Sequence, residues 1–323
     1  MKRFVGIILL MVMAILSFTG CYQPTIVRPE VGSNAQILDQ KKIIFVGNSY
    51  TYYGHAVIEK KVTVSSQEER NNDEGYFYQI CKSNGVEVSV TNWTYGGHTL
   101  GDSLGNCCQT DKTCKGRDHL SDLVDRNYDY VVLQNGSGSS GLSSTEFVAQ
   151  IKSFMKIFSD VNPDTKFVFL VQSAVHISSY DWKSAIKELE KEGLIIGDWG
   201  NIVSDIINRK VAVPGAKNVY NKNSFIIQKS ASDGYHPNML SGYLTALTAY
   251  CAITGETAVG QDYSFCTDWN VNFNFDTQSF INKNYSYNNA TTNFAQIFDS
   301  AQDMKGLQTL VDRYLENKPY LNF

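Results

Sequence analysis

The sequence predicts an α/β fold: a five-stranded parallel sheet with helices against both faces. Three observations carry that expectation. Five short runs rich in β-branched and aromatic residues recur between residues 43 and 196. Helical spacing or a long connection lies between successive runs, and that requires crossovers and therefore parallel strands. The strands also run out into glycine-rich or polar turns, which place the functional residues at one edge of the sheet. A chain of 323 residues, 43% of them hydrophobic, has enough apolar surface to fill such a core as one large domain or two small ones.

Ile43 to Val46 is uncharged and reads as the first strand, buried on both faces. Gly47 ends it in a sharp turn, and Asn48 and Ser49 follow. A polar excursion from Glu59 to Glu74 precedes a helix over 75–83, whose Tyr76, Phe77, Ile80 and Cys81 share one face and which Asn84-Gly85 stops. Val86 to Trp93 is the second strand and runs into Tyr95-Gly96-Gly97-His98. Residues 101–119 read as a loop, and 120–126 as a short helix. Tyr128 to Gln134 is the third strand, opening into a Gly/Ser loop at 135–141. Ser143 and Glu146 form a capping box for a helix with Phe147, Ile151, Phe154, Met155 and Phe158 along its core stripe.

Asn162-Pro163-Asp164 turns the chain into a fourth strand, Lys166 to Val171. An amphipathic helix over 179–191, a fifth strand at 194–196 and a helix over 199–208 complete the alternation. After Asp233-Gly234-Tyr235-His236-Pro237 another helix begins, with Leu240, Tyr243, Leu244, Leu247, Tyr250 and Cys251 on its buried side, and Thr254-Gly255 ends it. The tail from Val259 closes in a helix over 302–315 that Gly306 weakens.

Residues 1–20 read as a leader. Lys2 and Arg3 precede an apolar run, Phe4 to Phe18, that is shorter than the roughly 18–20 residues of a spanning helix. Phe18-Thr19-Gly20-Cys21 resembles the lipobox of bacterial lipoproteins, with Phe18 where that pattern usually has Leu. The resemblance implies lipid attachment at Cys21 and a bacterial membrane lipoprotein, exported to the periplasm or the cell surface; a plain secretory signal cut nearby is the alternative. Residues 21–40 read as a tether, and 41–323 as a single domain with a C-terminal extension from about residue 257. A net charge of −4 gives no basic surface for nucleic acid.

Ser49, just past a strand and a glycine, is a candidate nucleophile; the competing reading is a serine capping an ordinary strand-to-helix turn. A serine hydroxyl needs a base within hydrogen-bond reach, and the base needs a group that holds its tautomer. His236 is the best-placed base, and Asp233, three residues earlier, can orient it. A capped helix start with a surface histidine is the competing reading of that turn.

Phe45-Val46-Gly47-Asn48-Ser49, Asn92 through Gly97, and Asp233-x-x-His236-Pro237 together resemble the SGNH/GDSL hydrolases, as does Asp-Tyr-Val-Val-Leu-Gln at 129–134. The resemblance is to a branch of bacterial exported proteins in which the first block reads Gly-Asn-Ser. It covers most of residues 42–256. It implies a three-layer α/β/α, flavodoxin-like fold and ester hydrolysis through an acyl-enzyme, with no metal or other cofactor. It further implies Ser49 as nucleophile, His236 as general base and acid, and Asp233 as its partner. Ser49 and Gly97 are the implied backbone donors to the oxyanion. The third block departs: Gly138 stands where the family has its Asn, and Asn135 or Gln134 is left as the substitute donor. The implied substrate is a small-molecule or glycan ester carrying an acetyl-like acyl group. A catalytically impaired glycan-binding surface lipoprotein is the alternative, and a flavodoxin-like cofactor binder is set aside because no phosphate-cradling glycine loop follows the first strand.

The literal Gly-Asp-Ser-Leu at 101–104 is rejected as a nucleophile site because no strand leads into it. His98 is a pocket or structural residue, and His55, His119 and His176 read as surface or satisfied histidines. Trp93, Tyr50, Tyr52 and Tyr53 are either core or sugar-stacking residues. Cys81, Cys107, Cys108, Cys114, Cys251 and Cys266 permit disulfides in an exported protein; Cys251 with Cys266 is one option. A metal site from Cys107, Cys108, Cys114 and His119 fits no standard zinc spacing.

Overall fold

The computed structural model describes residues 34–52, 54–57, 75–94, 98–104, 123, 125–135, 143–172, 183–226, 236–267 and 294–318. Five strands, β1 (Lys41–Gly47), β2 (Val88–Thr94), β3 (Tyr130–Leu133), β4 (Lys166–Leu170) and β5 (Ile195–Gly197), pair in the order β2-β1-β3-β4-β5. Every pairing is parallel. This is the flavodoxin-like doubly wound order, and all five strands lie where the sequence places them, within a few residues.

Alternation along the strands divides the core into two layers. Ile43, Phe45, Tyr130, Val132, Val168 and Leu170 face helices α2 (Tyr76–Ser83), α6 (Trp199–Ile207) and α7 (Met239–Thr254). Ile44, Val46, Val131, Leu133, Phe167 and Phe169 face α4 (Ser144–Ser159) and α5 (Lys183–Lys191). β1, β3 and β4 are therefore apolar on both sides, which is why their sequences read as unbroken apolar runs. The capping box at Ser143 and Glu146 forms as expected. Gly255, at φ 71°, caps α7 in the left-handed region.

Two further helices, α8 (Phe294–Phe298) and α9 (Ala301–Asn317), join the first layer. Asp303 on α9 accepts hydrogen bonds from the backbone N–H groups of Lys217 and Asn218 and from the Tyr220 hydroxyl, at 3.1 Å each. Asp312 likewise accepts from Ala258 N–H at 2.5 Å and from the Thr257 hydroxyl at 2.7 Å. The C-terminal helix is thus fixed to the body of the fold by the buried Asp303 and the partly buried Asp312.

Four expectations are corrected. Residues 101–119 do not begin as a loop: Leu100–Ser103 form a one-turn helix, α3, because Thr99 and Asp102 make a capping box. Leu123, Asp125 and Arg126 are not helical, although Leu123 is buried. The tether is already folded at its end, where Ala35–Leu38 form a 3₁₀ turn with Ala35 and Leu38 buried. Cys251 and Cys266 are free thiols rather than a bridge. Burial pushes the Cys81, Cys251 and Cys266 thiols up, which keeps them unreactive. Cys107, Cys108, Cys114 and His119 lie outside the described residues. No described helix is long and apolar enough to cross a membrane.

Candidate active site

The site forms where β1 leaves the sheet. Gly47 is required there because a Cβ on it would sit 2.8 Å from Gln134 Oε1 and 3.1 Å from Gln134 O. That closeness lets one side chain from the end of β3 organise the turn. Gln134 Oε1 accepts from Asn48 N–H at 3.2 Å and from the Thr51 hydroxyl at 2.7 Å. Its Nε2 donates to the carbonyl of Asn135.

Ser49 opens the one-turn helix α1 (Ser49–Tyr52). The capping is done by Asn48 instead, whose Oδ1 accepts from Tyr50 N–H at 3.0 Å. Asn48 Nδ2 donates to the His98 carbonyl at 2.5 Å, joining the turn after β1 to the chain beyond β2. The Ser49 hydroxyl is bonded elsewhere: Ser49 Oγ lies 3.0 Å from His236 Nε2, across 187 residues of sequence. In the tautomer with its proton on Nδ1, His236 accepts this bond from the hydroxyl, as a general base must.

His236 reaches that position because the start of α7 is tied down on two sides. Asn238 caps the helix through Oδ1, accepting from Leu240 N–H at 3.1 Å and Ser241 N–H at 3.2 Å. Asn238 Nδ2 donates to Ser224 O at 2.8 Å, and Ser241 Oγ donates to Phe225 O at 2.6 Å. Pro237 pairs with Ile226 in an isolated antiparallel bridge. On the other side, Gly54 and Gly242 let the chain after α1 touch the first turn of α7: a Cβ on Gly242 would fall 1.5 Å from Gly54 O. The Tyr50 ring packs on the imidazole, with centroids 5.5 Å apart and planes at 32°.

Asn135 is 1% exposed, and its Oδ1 accepts from Leu100 N–H at 3.1 Å, which fixes the amide plane beside the site. The Gln134 amide is committed to the β1 turn. Asp233, Gly97 and Cys21 lie outside the described residues.

The Gly-Asp-Ser-Leu segment falls in and after α3. There Asp102 is spent on the cap, its Oδ2 accepting from Thr99 N–H at 2.7 Å, and Ser103 is buried. Trp93, Tyr50 and Tyr52 are all buried, so they are core and not surface for stacking a sugar; Tyr53 lies outside the described residues. His55 is fully buried against Tyr76, with ring centroids 5.5 Å apart, and burial holds its pKa down at about 3. His98 is buried as well, while His119 and His176 lie outside the described residues.

The working roles of Gln134, Asn238, Tyr50 and the Gly54–Gly242 contact escaped the sequence reading. Asn238 carried a signal, a capping residue type one position before a helix. The others carried none, because each depends on a partner distant in the chain.

No protein-family model matches the chain, and no curated protein matches it in a sequence search. Solved structures do match. A DUF4886 family protein from Bacteroides uniformis aligns at a TM-score of 0.50 with 15% identity, over 87% of this chain and 96% of that one. An acetylxylan esterase from Geobacillus stearothermophilus, solved as a catalytic mutant, aligns at 0.45 with 12% identity, over 68% and 96%. A GDSL-like lipase described from Parabacteroides merdae aligns at 0.42 with 14% identity, over 70% and 99%. The likeness is one of fold. With five parallel strands in the order 2-1-3-4-5, this chain shares its fold with the DUF4886 family protein.

Proposed function

We propose that the chain is a serine ester hydrolase that works through an acyl-enzyme. The observation that carries this reading is the 3.0 Å bond between Ser49 Oγ and His236 Nε2 at the carboxyl edge of β1. The alternative use of that serine, as a helix cap, is taken by Asn48.

Ser49 Oγ attacks the ester carbonyl carbon while its proton passes to His236 Nε2. The carbonyl π pair moves to oxygen. When the tetrahedral adduct collapses, the C–O bond to the alcohol breaks and His236 returns the proton to the departing oxygen. Water then repeats the sequence on the acyl-serine and releases the acid. Asp233 holds the imidazole in the required tautomer. The N–H groups of Ser49 and Gly97, with the Asn135 amide, stabilise the oxyanion, a charge that arises only after attack; losing one such donor typically costs ~100–1000-fold. The substrate is an acetyl-like ester of a carbohydrate or other small alcohol. The protein is exported and held to a bacterial membrane by a lipid on Cys21.

Hydrolysis of 4-nitrophenyl acetate tests the reading. Wild type turns it over, and Ser49→Ala loses ~10⁴-fold or more while keeping its unfolding midpoint. Turnover that persists in Ser49→Ala would place the nucleophile elsewhere. An inactive wild type would favour the glycan-binding reading of the same fold, in which Gly138 in the third block marks the loss of catalysis.

A further inference from the structure

One buried polar side chain at the same edge of the sheet is used neither by the fold nor by the hydrolytic machinery. Gln172 is 9% exposed, and neither its Oε1 nor its Nε2 has a hydrogen-bond partner among the described residues. A buried amide left unpaired is a standing cost, and a fold tolerates it where a ligand supplies the partner. Thr248 Oγ1 and Tyr250 OH are also buried without partners, but both belong to α7 rather than to a strand end. Gln172 lies where ligands meet an open α/β sheet.

Register places it relative to the nucleophile. Val46 pairs with Leu133, and Leu133 with Phe169, so the three stand at one level on β1, β3 and β4. Ser49 and Gln172 each come three residues beyond that level, two strands apart, or roughly 10 Å across the sheet. The chain stays tied to β5 and α6 through Val171, whose N–H bonds Gly197 O and whose carbonyl accepts from Gly200 N–H. Along β4, Val168 and Leu170 face the layer of α6 and α7, while Phe169 faces the other. Alternation carries Gln172 to the layer of α7, the helix whose first turn follows His236.

We propose that Gln172 recognises the alcohol portion of the ester, and that this portion is a carbohydrate. The inference rests on the esterase reading above. A carboxamide both donates and accepts, as do the neighbouring hydroxyls of a sugar, and it carries no charge with which to select an ionic substrate.

Gln172→Met and Gln172→Leu test this by a ratio. In both, kcat/KM for a mono-acetylated methyl glucopyranoside falls at least tenfold relative to kcat/KM for 4-nitrophenyl acetate, which has no hydroxyls. An unchanged ratio overturns the proposal. Without ligand, both variants keep or raise the unfolding midpoint; a fall in both shows that the amide has a structural partner and overturns it as well. Should wild type cleave neither ester, the hydrolase reading fails, and calorimetric binding of the same acetylated glucoside to Ser49→Ala still decides the role of Gln172. Tenfold weaker binding after adding Gln172→Met supports the role; unaltered or absent binding ends it.

Discussion

At the scale of the residue, the site depends most on Asn48. It caps α1 with its oxygen and donates its nitrogen to the His98 carbonyl, so one side chain connects the nucleophile turn to the chain that follows the second strand. An aspartate could keep the cap, but it has no proton for His98 and would set a charge against a carbonyl in a position that is 1% exposed. The Gly-Asn-Ser form of the first block is therefore matched to this particular neighbour. Asn48→Asp is expected to cost about 1–3 kcal/mol in urea unfolding. It should also lower kcat/KM on 4-nitrophenyl acetate by tenfold or more, because the turn that carries Ser49 loses its tie to His98. A variant as stable and active as wild type would mean that the turn is held by other contacts.

At the scale of the element, two glycines decide how helices meet, and simple propensity misjudges both. Gly306 lies inside α9, where alanine ordinarily gains about 1 kcal/mol. A Cβ there would stand 2.3 Å from Pro214 O, so Gly306→Ala should destabilise instead, by about 1–3 kcal/mol in urea unfolding. Gly242→Ala has a different consequence. Its methyl group would displace the Gly54 backbone, move the first turn of α7 from α1, and separate Ser49 from His236. Turnover should then fall by about 100-fold or more, the usual result of misplacing a reacting group by an ångström, even at moderate cost in stability. The same two positions show what could be read from sequence and what could not. Strands such as Ile43 to Val46 and long helices such as Phe147 to Phe158 carry their burial in local pattern, so the layers were legible. The meeting of Ser49 and His236 was legible through motif order. Gln134 holding Asn48, or Gly54 admitting Gly242, is a contact between segments 86 and 188 residues apart, and no local period records it. The expected helix near Leu123 failed for the converse reason: Leu123 is buried in the second layer, but it needs no helix to reach it.

At the scale of the whole molecule, two buried groups outside the site set opposing responses to pH. Asp198 caps α6 by accepting from Asn201 N–H at 3.1 Å and Asn201 Nδ2 at 3.0 Å. Burial nevertheless raises its pKa from 3.8 to about 7, and Asp205 adds to the rise. The folded state then keeps a proton that the unfolded chain gives up, so stability falls as pH rises from about 4 to about 7, by about 1.4 kcal/mol per unit. His55 does the reverse. Burial lowers its pKa from 6.5 to about 3, so the unfolded chain takes up a proton that the folded state refuses, and stability falls as pH drops from about 6.5 to about 3. The two slopes cancel between about pH 4 and 6.5, and as far as these groups decide it the wild-type profile is flat there. Asp198→Asn keeps a good cap and removes one slope. Its unfolding free energy should rise by roughly 2–3 kcal/mol between about pH 4.5 and 6.5, following His55 alone. His55→Asn, tolerated at its left-handed φ of 68°, should show the opposite trend over the same interval. Urea titrations at four pH values decide it: if the Asp198→Asn profile runs parallel to wild type throughout, Asp198 is ionised in the folded protein and its buried cap is charged.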